Sequence, residues 1–458
     1  MSVPFTKRTI LIWLLTLLSS SGGLLAQNRQ GFSLQEAIQF ATRENINVKN
    51  TQLDALSAEG RIRELKAVSL PQVSIGGSFT DNLIIQRAFL PATFFDRNAP
   101  ADAPAVPVQF GVKYAGNIAG SVNQLLYDAA YRVGLKAATV YRELAQKNIT
   151  ASKITVAEQV AKAYYGVLVS EERAKLLDLN IGRVDTLLRD TRALNKQGFV
   201  EKLDVDRLEV QVNNLKAERQ NVQNLIGLSY YLLKFQMGLG INDEIALTDK
   251  IQDMNLDELE RSIAQDPAFN YDTRIEYSTL QTQLQLADLD IQNTQKSYFP
   301  RLSAFINYGY NNGRNRLINI VDSPWLNFST MGLNLSVPIF DGFARKYQAQ
   351  QKRFTLQKAQ NSGVLLKNSI DLQQKQSLIT LTNGLQTLRT QQRNRELAAE
   401  IVRVTRIKYK EGVGSNIEVL NAETSSREAQ TNYFTALYDF LIAKVDQDKA
   451  TGKLYIGQ

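Results

Sequence analysis

The chain of 458 residues contains no cysteine and no histidine. Those two absences remove disulfides, thiol catalysis, the usual zinc sites and every acid/base scheme built on imidazole. Carboxylates, Lys and Ser remain, but the carboxylates are dispersed along helix faces, so no catalytic residue, cofactor or metal site is expected. Beyond the N-terminus there is also no uncharged apolar run long enough to span a membrane as a helix. If the exported chain enters a membrane, it must do so as β-structure. A basic block is missing too. The net charge of +8 is scattered through helices rich in Gln and Asn and falls to +6 if Lys7 and Arg8 are lost with a leader, so nucleic acid is not an expected partner.

What is present begins with a leader. Lys7-Arg8 precede the apolar run Ile10 to Leu18, and Leu24-Leu25-Ala26-Gln27 follows, the order of a secretory signal peptide over residues 1–26. The rival reading, an N-terminal anchor helix, calls for nearly twice that apolar length. No Cys follows the cleavage site, so no N-terminal lipid anchor is expected.

From Ser33 to Ser69 the pattern is helical, with Ser33 as N-cap and Glu36 three residues on, and Pro71 ends it. The period then changes to two: Val73, Ile75 and Phe79 alternate with Ser74, Gly76, Ser78 and Thr80. Leu90 to Pro107, rich in Pro and Ala, reads as a surface loop. Alternation resumes through Val108, Phe110, Val112 and Tyr114, then Ile118 and Val122, giving a hairpin over about 72–126. A long helix over 128–197 shows narrow apolar stripes at four-three-four spacing: Val156, Val160, Ala163, Val167; Leu177, Ile181, Val184, Leu188. Such stripes are coiled-coil seams. The helix breaks at Gly198-Phe199-Val200 and returns over 202–238 through Val205, Leu208, Val212 and Leu215. A mixed connector with a small helix at 257–264 follows.

The plan then repeats. A helix from Arg274 ends at Pro300, a hairpin covers 301–340, a long helix 341–410 carries Leu378, Leu381, Leu385 and Leu388, and a returning helix covers 416–452. Asn45 to Pro71 and Arg274 to Pro300 have the same length, and one offset relates Gly198 to Gly412 and Gly238 to Gly452. The expected organisation is therefore two repeats, 27–251 and 252–458. The long arm from 341 to 410 would extend roughly 105 Å, and the two short helices of each copy, stacked end to end, would match it in an antiparallel pair.

Each repeat supplies one hairpin, so one chain offers four strands with one apolar and one polar face. Four strands cannot close, and an open edge in hydrocarbon leaves backbone groups unpaired at several kcal/mol each. Three copies would close a twelve-stranded barrel with a polar lumen, and the helices leaving it would suit the crossing of a periplasm.

The junctions Leu70-Pro71 and Phe299-Pro300, the strand exits Leu126-Tyr127-Asp128 and Pro338-Ile339-Phe340-Asp341-Gly342, and the turns Gly198…Asp204-Val205 and Tyr409…Gly412…Glu418-Val419 resemble the TolC family of outer-membrane efflux and secretion channels. The resemblance implies a mixed α and β membrane protein: a homotrimeric β-barrel among outer-membrane lipid, continued by a periplasmic α-helical tunnel. It implies no catalysis, and as partners a periplasmic adaptor and an inner-membrane transporter of RND or ABC type, serving drug efflux or type I secretion. It marks Gly198, Phe199, Val200, Gly412, Val413 and Gly414 as adaptor-docking tips. It also marks Glu418 as an acidic ring residue of the periplasmic gate, with Asn421 one turn later, and Tyr409 and Asp204 as closed-state tethers. Gly414 stands where the family has an Arg, so that tether is incomplete here. Ordinary Gly-rich turns, and a Glu418 that only favours its helix start, are the plain alternatives. A secreted fibrous coiled-coil or adhesin protein would leave the four alternating strands unexplained, and a periplasmic adaptor subunit has one helical hairpin where this chain has two.

Overall fold

In the computed structural model, residues 30–251, 269–318 and 322–455 are described. The leader at 1–26 and the small helix expected at 257–264 lie outside them. The chain divides into two compact units. One comprises Gln52–Asn148 and Glu276–Leu366; the other, Met1–Thr51, Ile149–Ile275 and Lys367–Gln458.

The first unit is built on a four-stranded antiparallel sheet of β2 (Gln72–Asp81), β5 (Tyr114–Asp128), β7 (Arg301–Arg314) and β8 (Leu326–Ser336), in that spatial order. Two hairpins are thus joined through the β5–β7 pair. Residues in register across all four strands alternate in character. Val73, Val122, Ile306 and Met331 form one row, and the next row is Ser74, Ser121, Asn307 and Thr330. The apolar row is not covered, Val73 being 76% and Met331 82% exposed. The polar row bonds laterally, with Ser74 and Ser121 hydroxyls 2.8 Å apart and Asn307 donating to Thr330 at 3.3 Å. β2 and β8 have no further partner strand among the described residues.

The apolar face is bounded by aromatic rings at both ends. At one end Phe79 stacks on Tyr114, Tyr308 meets Tyr310, and the Trp325 ring lies over Gly116. At the other, Tyr127, Phe299 and Tyr298 each lie under a cation, from Arg132, Lys296 and Arg345. Leu302 to Tyr310 spans about 27 Å at strand rise, close to the height of an outer-membrane apolar band.

Two departures from the sequence reading occur near this sheet. The Pro- and Ala-rich loop contains a two-stranded ribbon, β3 (Arg87–Leu90) with β4 (Val106–Gln109), so Val108 belongs to the ribbon, not to the long hairpin limb. β5 also runs directly into helix α3 (Ala129–Lys196), where the Asp128 carboxylate accepts from Tyr131 N–H at 3.0 Å. At the second exit Asp341 accepts from Arg345 N–H at 3.2 Å, so α6 (Ala344–Lys410) begins three residues later than expected. In both cases the Asp before the helix satisfies a first-turn donor.

The second unit is helical. α1 (Leu34–Glu44) begins at Ser33 with a full capping box, Ser33 and Glu36 each bonding the other's backbone N–H. The helix expected as far as Ser69 is broken at Asn45, and α2 (Ile46–Ala67) follows. The break has a tertiary cause. Asn45 donates to Gln236 O at 2.8 Å, and Gly238, in the left-handed region after α4 (Lys202–Met237), lies so near that a Cβ there would be 2.9 Å from Asn45 Cα. Gly452, after α7 (Asn416–Ala450), makes the same approach to Thr273 O, at 2.7 Å from its Cβ position, just before α5 (Ile275–Lys296). Gly238→Ala and Gly452→Ala should each destabilise the unit by roughly 2 kcal/mol or more, through left-handed strain plus overpacking. Thermal melts in detergent check this; an unchanged midpoint would refute the close approach.

Buried seams lie where the sequence spacing places them. Val156, Val160 and Val167 of α3 pack with Leu233 and Met237 of α4 and Ala37 and Ala41 of α1. Leu381, Leu385 and Leu388 of α6 pack with Phe434, Leu437 and Phe440 of α7. Leu378, by contrast, is exposed. β1 (Gln30–Phe32) pairs in parallel with β6 (Ile245–Leu247), and the buried Tyr164 closes this clasp by donating to Phe32 O and Asp249. Burial and the Asp249 carboxylate both push the Tyr164 hydroxyl pKa upward. α3 and α7 are also tied by charge: Glu158 binds Lys162 at 2.8 Å and Lys449 at 2.6 Å, and Lys162 binds Asp446 at 2.6 Å. Burial disfavours the ionised Glu158, but the two ammonium groups outweigh it and hold its carboxyl below the usual range.

Candidate functional site

The two interhelical turns of the helical unit share one construction. Two residues beyond the end of α3 stands Gly198 and two beyond α6 stands Gly412, both in the left-handed region, with φ of 79° and 74°. In each turn the following residue returns its N–H to the helix, Phe199 to Leu194 O and Val413 to Lys408 O, a left-handed C-terminal cap that glycine permits without strain. The residues carried outward are apolar, with Phe199 and Val413 both about three-quarters exposed. Val200 is half-buried, its carbonyl held by the Asn195 amide at 2.7 Å. Gly414 packs closely on the end of α6: a Cβ there would lie 3.1 Å from Tyr409 N, so a larger residue would require a small local shift.

Four other residues singled out by sequence are split between two settings. Glu418 and Asn421 are exposed on α7, whose first turn is capped by Ser415 accepting from Glu418 N–H. They begin a stripe at three-four spacing, continued by Ser425, Glu428, Asn432, Thr435 and Asp439, every member exposed and none basic. Tyr409 and Asp204 lie on the packed side but do not bond each other. The Tyr409 hydroxyl is 3.4 Å from Thr191 Oγ1, while Asp204 accepts from the Asn416 amide at both its backbone oxygen (3.1 Å) and its carboxylate (3.2 Å). Asn416 thus links the two turns where Gly414 supplies no side chain.

Sequence reasoning missed the group beneath this link. Glu423 of α7 is 6% exposed and lies between Arg183 of α3, at 3.8 Å, and Arg406 of α6, at 3.7 Å; Arg406 also donates to Arg183 O at 2.8 Å. Two turns farther along α7, Gln430 accepts from Asn180 at 2.7 Å. The buried side of α7 therefore reads Asn416, Val419, Glu423, Ser426, Gln430 before it turns apolar at Phe434, Leu437 and Leu441. Polar residues at seam spacing were the available signal. A polar seam specifies pairing while contributing less burial energy than an apolar one.

Residues 278–453 match the family model described as Outer membrane efflux protein. The outer membrane protein TolC of Vibrio cholerae is 21% identical over 349 residues, covering 72% of this chain and 75% of that protein. The probable efflux pump outer membrane protein TtgC of Pseudomonas putida is 23% identical over 431 residues, covering 92% of this chain and 83% of that one. Among solved structures, the Campylobacter jejuni CmeC outer membrane channel superposes with a TM-score of 0.70 at 14% identity, over 92% of this chain and 86% of the other. CusC gives 0.71 at 14% identity, over 93% and 95%.

Proposed function

We propose that this chain, a TolC-like outer-membrane efflux protein, forms the outer-membrane channel through which substrates driven by an inner-membrane pump leave the cell. The observation that carries the reading is the sheet: four strands, apolar and uncovered on one face, largely polar on the other apart from Phe305, Phe328 and Leu326, with both edges unpaired among the described residues. Exposed apolar strands ringed by aromatics fit lipid, the polar face fits a water-filled lumen, and open edges inside lipid demand closure by further copies. Three copies give twelve strands, and the two halves of each chain are copies of one duplicated unit, as the paired Asp exits and the paired Gly approaches support.

In this reading the helical unit continues the channel in the periplasm. The turns at Gly198, Phe199, Val200 and at Gly412, Val413, Gly414 are the docking tips for an adaptor, Phe199 and Val413 being the apolar contacts. The adaptor links the channel to a transporter of RND or ABC type, in small-molecule efflux or type I secretion. The stripe from Glu418 to Asp439 lines the lumen. Three Glu418 carboxylates at its narrow end favour cations and repel anions.

Two measurements test this. Extraction of the native protein should need detergent, and recovery in the soluble fraction would reject the channel. In planar bilayers under a salt gradient the channel should be small in conductance and prefer cations. Glu418→Ala should move the reversal potential toward zero, and an unmoved potential would remove Glu418 from the ring.

A further inference from the structure

The connections at the outer ends of the two hairpins are unequal. β7 and β8 are joined by residues 315–325, but β2 and β5 by residues 82–113, which contain the β3–β4 ribbon and a short 3-10 turn at Ala92–Phe94. This longer connection is a built projection. Asn82 N–H donates to Lys113 O at 2.7 Å and its amide to Val112 O at 2.8 Å, and Lys113 N–H donates to the side chain of Asn315 at 3.2 Å. Among charged groups such as Arg87, Asp96 and Arg97, its surface nonetheless exposes six large apolar ones, Leu83, Ile84, Phe89, Phe94, Phe95 and Phe110, with Ile84 at 92%. So many large apolar groups on one projection mark a surface that another body covers.

Two bodies could cover it, lipid or a further copy of this chain, and the direction of the projection decides between them. The stem residue Val112 lies against Gly313, with a methyl 2.6 Å from the position of a Gly313 Cβ. Gly313 is in register with Ala115 and Thr80, the row that continues the polar face of Ser74 and Ser78. The shorter connection behaves oppositely, sending Trp325 over Gly116 in the apolar row of Phe79. The apolar projection thus leans over the face that looks away from lipid. It also arises from β2, the open edge at which the sheet must meet a second copy.

We propose that the 82–113 projections of neighbouring copies meet over the channel mouth through Ile84, Phe89, Phe94 and Phe95, forming an outer apolar closure. The occupant of this surface is the same surface on the other copies. A constriction lined by such groups slows ions by intermittent dewetting and yields when cargo parts it. The inference rests on the channel reading, and the tests separate the two.

The chain has no cysteine of its own, so a single Phe94→Cys reports contacts cleanly. Oxidation of intact cells carrying this variant should give a covalent dimer on non-reducing gels. Absence of the dimer in a protein that still conducts would overturn the closure. As an independent measurement, the combined variant Phe89→Ser, Phe94→Ser and Phe95→Ser should at least double single-channel conductance in bilayers. A variant that conducts like wild type overturns the closure while leaving the channel intact; a wild-type protein with no conductance overturns both. Quenching of a fluorophore on Cys-substituted Phe94 by nitroxide lipids would place the projection in the outer leaflet and also reject the closure.

Discussion

Replacing Glu423 with Gln should loosen the helical packing beside the turns and raise channel conductance more than any substitution at the exposed Glu418 or Asn421. The Glu423 carboxylate is shared by Arg183 and Arg406, so one side chain on α7 holds α3 and α6 at once. Gln keeps the shape and removes the charge. Two guanidinium groups, joined through Arg406 to Arg183 O, are then left facing each other without a counter-ion. Stranding one partner of a fully buried pair costs about 3–5 kcal/mol, and because both arginines keep roughly a third of their side chains in water the expected loss here is about 2–3 kcal/mol. The loss falls on a seam in which Asn416, Glu423, Ser426 and Gln430 alternate with Val419 and Ala422, so less apolar packing remains to hold α7 there. Expected results are a lower melting midpoint in detergent, longer open times in bilayers, and greater sensitivity of cells to bulky antibiotics. The double change Glu423→Gln with Arg406→Gln should cost less than the sum of the singles, since the second removes a charge the first has stranded. Wild-type melting and conductance in the Glu423→Gln protein would show that the clamp holds nothing.

The helices and strands were legible in the sequence because their periods are strict and opposed. Val205, Leu208, Val212 and Leu215 have one spacing compatible with burial along a helix, and Val73, Ile75 and Phe79 have one compatible with a strand; all of the former are buried and all of the latter face outward. What was not legible depended on residues far apart in the chain. At Asn45 a local signal and a distant one coincide: its side chain caps α2 by accepting from Asn47 N–H at 2.8 Å, while its amide and backbone are held by Gln236 and Gly238, which the pattern of α1 does not contain. The β3–β4 ribbon was hidden by Pro107, which forbids a central strand but is tolerated in a two-stranded ribbon, where it stands opposite Phe89. At the turns the two glycines were readable from spacing, whereas the partner of Asp204 was not: it is the amide of Asn416, two residues beyond Gly414, and only the fold brings that amide within reach. Glu423 was visible in principle, as a charge at a seam position.

Ile306→Arg should abolish assembly in the outer membrane, whereas Asn307→Arg, its neighbour on the same strand, should assemble and change selectivity. The contrast follows from register. Ile306 lies in the row Val73, Val122, Ile306, Met331, midway between the two aromatic borders, and Asn307 lies in the row Ser74, Ser121, Asn307, Thr330 on the opposite face. An Arg on the lipid face at mid-depth costs about 2–4 kcal/mol, and a trimer incurs it three times. Snorkelling offers little relief, because mid-band is the greatest distance from either interface. Local adjustment offers none, because a one-residue slip to hide the Arg would turn every other apolar side chain of β7 inward. Ile306→Arg should therefore be absent from the outer-membrane fraction and give no heat-modifiable trimer on gels. On the proposed channel Asn307→Arg would face the water-filled lumen, so it should assemble like wild type but shift the reversal potential toward anions, opposite to the effect proposed for Glu418. The pair decides the sheet's orientation in one experiment: if Asn307→Arg fails to assemble while Ile306→Arg succeeds, the faces are reversed, and if both assemble with wild-type yield, the sheet does not line a membrane barrel.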